Sequence, residues 1–383
     1  MLDYMSKTGI KIKNLSTSND TQQLGRLLHQ LKAGRRHNFD CRDAATVARF
    51  MIPLLSITPG SHTLNGSPQL CRRPMGQLID ALREAGCSIT CTEEEGHLPL
   101  KIEGAIPTNR RIKIDCSISS QYASALLLSA ATMPQGGTVE LIGVPASEPY
   151  IEMTLRVMEQ ANVQCVLKGN PPAYYVEHSI PQCDQTSIEK DWSSASYIFE
   201  AVALLNNVPV RLPGLQRESL QGDSVVRDIY SSIGMTITQS ELSLEIRHDA
   251  PLASSLEWDF INTPDLVPAV AVTCAALGIE ARLKGVANLR HKESNRIDSI
   301  ANGLRQLGRS VETGDDYIFI PAAKPMTADD LNINNPIDSA DDHRIAMAFG
   351  ALKVINPSIS VTNPECVAKS FPDFWKMIDR LVL

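Results

Sequence analysis

The densest run of reactive side chains in the chain is His291-Lys292-Glu293-Ser294-Asn295-Arg296. It lies where a predicted strand, Ala281 to Lys284, turns into a predicted helix beginning near Ile297. The start of a helix offers unpaired backbone N–H groups and the positive end of the macrodipole, and both favour a phosphate or a carboxylate. Lys292 and Arg296 add full positive charges. The same residues also make an ordinary charged first turn, with Ser294 as cap and Glu293 favourable to the dipole. On their own they leave the two readings level.

Other segments put polar groups at the heads of small-residue helices. Asp115-Cys116-Ser117-Ile118-Ser119-Ser120-Gln121-Tyr122 precedes a predicted helix over Ala123 to Ala131. One serine suffices for a cap, so several serines and a glutamine point to an anion being wrapped. Asp191-Trp192-Ser193-Ser194 has the same form but needs no more than a cap to explain it. In Asp341-Asp342-His343-Arg344, the dipole accounts for the two aspartates and not for Arg344. Lys369, Arg49 and the pair Arg73-Pro74 are uninformative until something groups them.

Four stretches share an order of elements that would position these groups: an amphipathic helix, a Gly or Asn, then two short strands. The helices end at Gly86, Asn162, Gly234 and Gly308. Their apolar positions fall at three- and four-residue steps, for example Ile151, Leu155 and Met158, or Ile297, Ile300, Leu304 and Leu307. Gly or Asn at such an end predicts a left-handed C-terminal cap. The caps recur at spacings of 76, 72 and 74 residues, so the unit is a repeated supersecondary one. Partial copies sit at the ends, with helices over Asp20 to Lys32, capped by Gly34, and Phe371 to Leu381. Six units divide into two domains of three. The junction falls in the polar stretch Gln182 to Lys190, which gives domains 1–189 and 190–383 and an expected site between them.

A chain of 383 residues exceeds the size at which a single core stops growing, which agrees with two domains. Hydrophobic residues are 43% and charged residues 21%, ordinary globular usage that argues against disorder. The net charge of −7 argues against a nucleic-acid or membrane-surface binder, so any anion must be held by a local cluster. No apolar run approaches the roughly 20 residues that span a bilayer. Nine scattered cysteines, an odd number, predict free thiols in a cytoplasmic protein rather than a disulfide framework. Cys87 and Cys91 have no second pair at metal-ligand spacing, and no metal is expected.

In their order along the chain, these segments closely resemble the 5-enolpyruvylshikimate-3-phosphate synthase family. The likeness runs from Asn14-Leu15-Ser16 through Thr46-Val47-Ala48-Arg49, Arg73-Pro74, Ser119-Ser120-Gln121, Ser147-Glu148-Pro149-Tyr150, Pro264-Asp265, the Lys292 to Arg296 run and Asp342-His343-Arg344 to Ala368-Lys369. The resemblance implies an α/β, two-domain enolpyruvyl transferase fold of repeated βαβαββ-like units, with the first unit incomplete. It implies transfer of enolpyruvyl from phosphoenolpyruvate to the 5-hydroxyl of shikimate 3-phosphate, with release of phosphate and no cofactor or metal. It further implies a cytoplasmic monomer with no nucleic-acid or membrane partner.

Carried over by position, Ser119, Ser120, Gln121, Ser147, Tyr150, Asp265, Asn288 and Lys292 would hold shikimate 3-phosphate. Thr46, Arg49, Arg73, Gln121, Arg296, His343, Arg344 and Lys369 would surround phosphoenolpyruvate. Asp265 is the candidate acceptor of the hydroxyl proton, Glu293 the candidate for proton transfer at the methylene carbon, and Lys292 a third catalytic candidate. Six cations against two multiply anionic substrates give near-neutralisation.

The family's opening strand and Lys-Ser-x-Ser-x-Arg loop have no counterpart here, and Met1 to Gly9 reads as the tail of the helix that follows that loop, so roughly 25–35 residues of pattern are missing. The loop's lysine, arginine and serine touch both substrates in the family, so very low activity is expected of the chain without them. The family's Gly-Asn-Ala-Gly-Thr loop reads Arg42-Asp43-Ala44-Ala45-Thr46, and both Asp43 and Ala45 are expected to weaken phosphoenolpyruvate binding. Two alternatives stand beside the main reading: a catalytically impaired remnant that keeps an anion-binding cleft, and an enolpyruvyl transferase acting on UDP-N-acetylglucosamine.

Overall fold

A computed structural model describes the whole chain apart from Lys7, Thr8, Arg35, Arg36, Ile118, Asn170, Asn206, Leu242 and Leu383. The chain divides into two compact units, Met1–Ile188 and Glu189–Leu383.

The repeat appears in the first unit as two four-stranded sheets of one layout. Asn38–Asp40 pairs parallel with Gly60–Asn65, which pairs antiparallel with Leu100–Gly104, and that strand with Ser88–Cys91. Arg111–Asp115, Gly137–Ile142, Ala173–Val176 and Cys165–Lys168 repeat the order and the directions. In the second unit Ser255–Asp259, Glu280–Lys284, Tyr317–Ile320 and Glu312–Thr313 do the same. The sheet Val210–Pro213, Ser243–Arg247 and Thr236–Gln239 has only the antiparallel part of that layout among the described residues. A short parallel pair, Lys11–Lys13 with Gln185–Ser187, completes the strands of the first unit.

Each of the four predicted caps has the backbone that its residue type favours. Gly86, Asn162, Gly234 and Gly308 have φ of 94°, 58°, 105° and 75°, all left-handed, and Gly34 follows the Asn19–Lys32 helix at 63°. The predicted boundaries shift in three places. The third repeat helix is a 3-10 turn, Gly222–Val225, that becomes α-helical over Val226–Ser232, and Ile233 is its C-cap. The last helix begins at Phe374 rather than Phe371, because Pro372 interrupts it. The Ser-Ser-Gln segment is itself helical: the helix spans Ser120–Ala130, not Ala123 to Ala131, so Gln121 lies in its first turn.

Four of the described helices are buried nearly all round, which explains why they lack an amphipathic stripe. Only Thr46 and Phe50 of Ala45–Ile57, only Gln121 of Ser120–Ala130, only Leu277 of Val267–Leu277 and only Arg344 of His343–Ala351 are not fully buried. Each fully buried Leu, Ile or Val contributes about 1.5–3 kcal/mol, so these helices are fixed rods in their cores. In Ser120–Ala130 the one residue left near solvent, Gln121, lies in the first turn. Close approach is built in by glycine: a Cβ on Gly104 would lie 1.8 Å from the carbonyl oxygen of Thr58, and one on Gly303 would lie 2.3 Å from the Phe349 ring. Gly303 thereby lets the helices Arg296–Gln306 and His343–Ala351 pack closely.

Candidate functional site

In the first unit the starts of two buried helices converge on one amide. Arg49 Nη1 donates to Gln121 Oε1 at 2.9 Å, and Thr46 Oγ1 donates to the same oxygen at 3.4 Å. The Arg49 guanidinium also lies 5.5 Å from the centroid of the Tyr122 ring, close enough for a cation–π contact. Tyr122 donates its hydroxyl to the carbonyl of Pro74 at 2.9 Å, and so ties the Arg73-Pro74 turn to Arg49. Arg49 and Arg73 are both buried. Ser119 caps the Ser120 helix by accepting from Gln121 N–H, which leaves Ser120 and Gln121 on the first turn. Ser147 caps the next helix with a left-handed φ of 60° and no side-chain cap bond. Its carbonyl accepts from Tyr150 N–H, while Thr154 bridges Tyr150 O and Ser124 Oγ, joining the two helices.

In the second unit the cluster is made of charges. Arg296 is 1% exposed and bound to three carboxylates. Its Nε donates to Asp342 Oδ2 at 2.8 Å, Nη1 to Asp265 Oδ1 at 2.8 Å, and Nη2 to Glu293 Oε2 at 2.8 Å and Asp342 Oδ1 at 3.2 Å. Asp342 also accepts from Ser294 Oγ and caps the His343 helix through Arg344 N–H. Asp265, on the 3-10 turn that leads into the buried Val267 helix, accepts from Arg344 Nη2 at 2.9 Å and has Lys292 Nζ at 3.6 Å. Lys369 Nζ lies 3.9 Å from the far oxygen of Glu293. Residues from four separate stretches thus meet, most of them at or just before the starts of helices.

Burial alone would favour neutral acids here, and the cations win. Against burial, Arg344, Lys292 and Arg296 hold the Asp265 carboxyl well below the usual carboxylate range. Asp342 is likewise lowered, against burial, chiefly by Arg296. His343 goes the other way: burial pushes its imidazole down to about 3, although Asp342 and Glu293 favour the charged form. It is neutral at pH 7, and among the described residues its buried Nδ1 has no hydrogen-bond partner. Asn288 likewise has a buried Oδ1 without a partner, on the turn Ala287–His291. An unpaired buried acceptor is costly unless a ligand fills it.

One reading of the central run changes. Asn295, not Ser294, is the N-cap, accepting from Asp298 N–H, and the helix starts at Arg296. Arg296, assigned from sequence to phosphoenolpyruvate, is engaged by the protein's own carboxylates. Asp191 accepts from Ser193 N–H, the cap that its segment predicted. Tyr122 and Asp342 were quoted within motifs but given no role. Nothing in the sequence marked Asp342, because the helix dipole accounts for both aspartates. Among the described residues no group of three or more His, Cys, Asp or Glu is arranged to hold a metal ion, and no helix is long and apolar enough to cross a membrane.

Comparison with known proteins bears on all of this. The family model for EPSP synthase (3-phosphoshikimate 1-carboxyvinyltransferase) matches residues 1–378. A 3-phosphoshikimate 1-carboxyvinyltransferase of Bacteroides fragilis is 32% identical over 377 residues, covering 98% of this chain and 90% of that protein. One from Methanospirillum hungatei is 35% identical over 344 residues, covering 89% and 78%. The solved EPSP synthase of Acinetobacter baumannii superposes with a TM-score of 0.74 at 22% identity, covering 99% of this chain and 93% of that one. The enolpyruvyl transferase NikO of Streptomyces tendae gives 0.70 at 15%, covering 99% and 90%. At those identities the two structures speak for the fold, which is the two-domain enolpyruvyl transferase fold.

Proposed function

The chain belongs to the EPSP synthase family, and from that premise we propose that it transfers the enolpyruvyl group of phosphoenolpyruvate to the 5-hydroxyl of shikimate 3-phosphate. The observation that carries the proposal is the convergence of Asp265, Lys292, Glu293, Arg296 and Arg344 into one charged cluster from distant stretches of sequence. Neither the impaired remnant nor the UDP-amino-sugar enzyme is favoured by the named relatives.

In the proposed reaction the 5-hydroxyl oxygen bonds to C2 of phosphoenolpyruvate while the methylene carbon takes up a proton and becomes a methyl. The resulting tetrahedral intermediate loses phosphate as its C–O bond breaks, and the methyl returns a proton to restore the double bond. Asp265 is the acceptor for the hydroxyl proton, and Glu293 serves the methyl carbon in both directions.

The internal pairing of the cluster constrains how this works. A carboxylate clamped by Arg344, Lys292 and Arg296 is a weak base. Anionic substrate groups that draw Arg344 and Lys292 to themselves loosen that clamp and raise the basicity of Asp265 when the hydroxyl arrives. Arg296 contributes its charge while holding Asp265, Glu293 and Asp342 in place. Thr46, Arg49, Arg73, Gln121, Arg296, His343, Arg344 and Lys369 are assigned to phosphoenolpyruvate. Ser119, Ser120, Gln121, Ser147, Tyr150, Asp265, Asn288 and Lys292 are assigned to shikimate 3-phosphate. The orphan Asn288 Oδ1 suits a sugar-like hydroxyl donor. The reading includes a cytoplasmic monomer, in keeping with nine cysteines that are all free thiols.

The test is phosphate release from the purified chain. Release that requires both substrates, with one phosphate per phosphoenolpyruvate consumed, is the expected result. No release with both present, or release from phosphoenolpyruvate alone, would defeat the proposal.

A further inference from the structure

We propose that Asn363 is a positioning residue for the transfer reaction: through its bond to Asp341 it sets the turn that carries Lys369 against the helix that carries Arg344. The inference rests on the assignment of Arg344 and Lys369 to phosphoenolpyruvate.

Two stretches of the second unit run side by side before they reach the charged cluster. Ile337 and Val361 form a parallel bridge, with Ile337 N–H donating to Ser360 O and Thr362 N–H donating to Ile337 O, both at 2.9 Å. Side chains continue the seam. Thr362 Oγ1 accepts from Ser339 N–H at 2.9 Å and donates to Asp338 Oδ1 at 3.1 Å. The last stitch is Asn363 Nδ2, which donates to Asp341 Oδ1 at 2.8 Å. Beyond it the stretches part: Asp342 caps the helix His343–Ala351, and Asn363 leads into the 3-10 turn Pro364–Lys369.

Both ends of that bond have backbones that need holding. Asp341 has a φ of 54°, Ala340 before it 51°, and Asn363 40°. Left-handed backbone is costly for residues other than glycine, although Asn and Asp tolerate it best. A residue that precedes proline favours extended backbone, so Asn363 is doubly out of place. Such conformations persist where the surroundings over-determine them. Here one side-chain bond joins two left-handed residues, one on each stretch.

From that bond the contacts close into a ring. Asp342, next to Asp341, receives Arg296 Nε at 2.8 Å, and Arg296 Nη2 donates to Glu293 Oε2 at 2.8 Å. Glu293 Oε1 lies 3.9 Å from Lys369 Nζ, and Lys369 ends the turn that Asn363 begins. The Lys369 contact is the longest of these, so the place of its ammonium depends on the turn more than on Glu293. Arg344 sits on the other arm, where its N–H donates to Asp342. Asn363 and Asp341 are exposed, and they act on the cluster through the backbone of the two arms.

The test compares three forms of the full chain: the parent, Asn363→Asp, and the exchange that combines Asn363→Asp with Asp341→Asn. The single change sets two carboxylates against each other, and the exchange restores an amide–carboxylate bond with donor and acceptor reversed. Asn363→Asp should raise the KM for phosphoenolpyruvate about tenfold or more, with the KM for shikimate 3-phosphate and the melting temperature little moved. The exchange should return the KM to within about threefold of the parent. Phosphate release by the parent in the same assay separates the two ways of failing. A parent that releases none with both substrates present defeats the transfer reading, and the positioning role with it. A parent that turns over while Asn363→Asp keeps its KM, weakens both substrates equally, or is not rescued by the exchange overturns the positioning role alone.

Discussion

The two units place their candidate groups by different means. In the first, Arg49 is positioned by a neutral amide and an aromatic face, and the surrounding groups are hydroxyls at helix starts. In the second, Lys292, Arg296, Arg344 and Lys369 are interleaved with Asp265, Glu293 and Asp342. Four cations against three carboxylates leave that cluster close to neutral. A buried charged cluster depends on every member, because removing one strands the others. A cation held by dipoles can be removed with little damage to its neighbours. The difference is that Arg296 is bound by carboxylates, whereas Arg49 pairs with an amide and an aromatic ring.

The sharpest way to break this contrast is to delete the two arginines in turn. Arg296→Met should destabilise the chain by about 3–5 kcal/mol in denaturant unfolding, since Asp342 loses its main partner and Asp265 one of its three cations. Arg49→Met should cost about 1 kcal/mol and still abolish most turnover. Equal losses of stability would end the comparison. Asp265→Asn should lower kcat by ~10²–10⁴ with a much smaller change in KM, as expected of a lost proton acceptor. A change confined to KM would assign Asp265 to binding alone.

Smaller effects probe how the second cluster is supported. Gly303→Ala forces a methyl against Phe349 and should cost about 1–3 kcal/mol in thermal or denaturant unfolding, spreading the helices that carry Arg296 and Arg344. Glu200 is a counter-example within the same unit: a fully buried carboxyl whose two oxygens lack hydrogen-bond partners, raised by burial well above the carboxylate range. Its folded pKa lies above its unfolded one, so it costs stability as pH rises past about 4.3. Glu200→Met should therefore raise the melting temperature at pH 7 and leave it little changed near pH 4. His343 has the opposite dependence. With a folded pKa of about 3 against about 6.5 unfolded, the unfolded chain binds the extra proton, so stability falls as pH drops from about 6.5 toward 3. His343→Gln should flatten that part of the melting curve, the smallest effect near neutrality.

Much of the scaffold was legible because caps are local. A Gly or Asn at the end of an amphipathic stripe forecasts a left-handed residue, and all four repeat caps have one. The start of the Ser120 helix was misplaced because a rod buried on every side has no stripe to follow, and its polar first turn resembles a loop. Family resemblance named the site residues, but the arrangement of the second cluster left no local trace. Arg296 meets Asp265 and Asp342, 31 and 46 positions away in sequence, and only packing brings them together. The bond from Asn363 to Asp341 was equally silent, since it depends on two left-handed residues that packing brings together.

The clamp on Asp265 has a consequence for selectivity. While Arg344, Arg296 and Lys292 are occupied by the protein's own carboxylate, the site is quenched toward any single small anion. Inorganic phosphate, abundant and also a product of the proposed reaction, must displace an internal counterion to bind and offers only one group in return. A ligand that brings several anionic groups and a hydroxyl for Asp265 replaces the whole set at once. The carboxylate proposed to take a proton would then also act as a gatekeeper, admitting the substrate by competing with everything simpler.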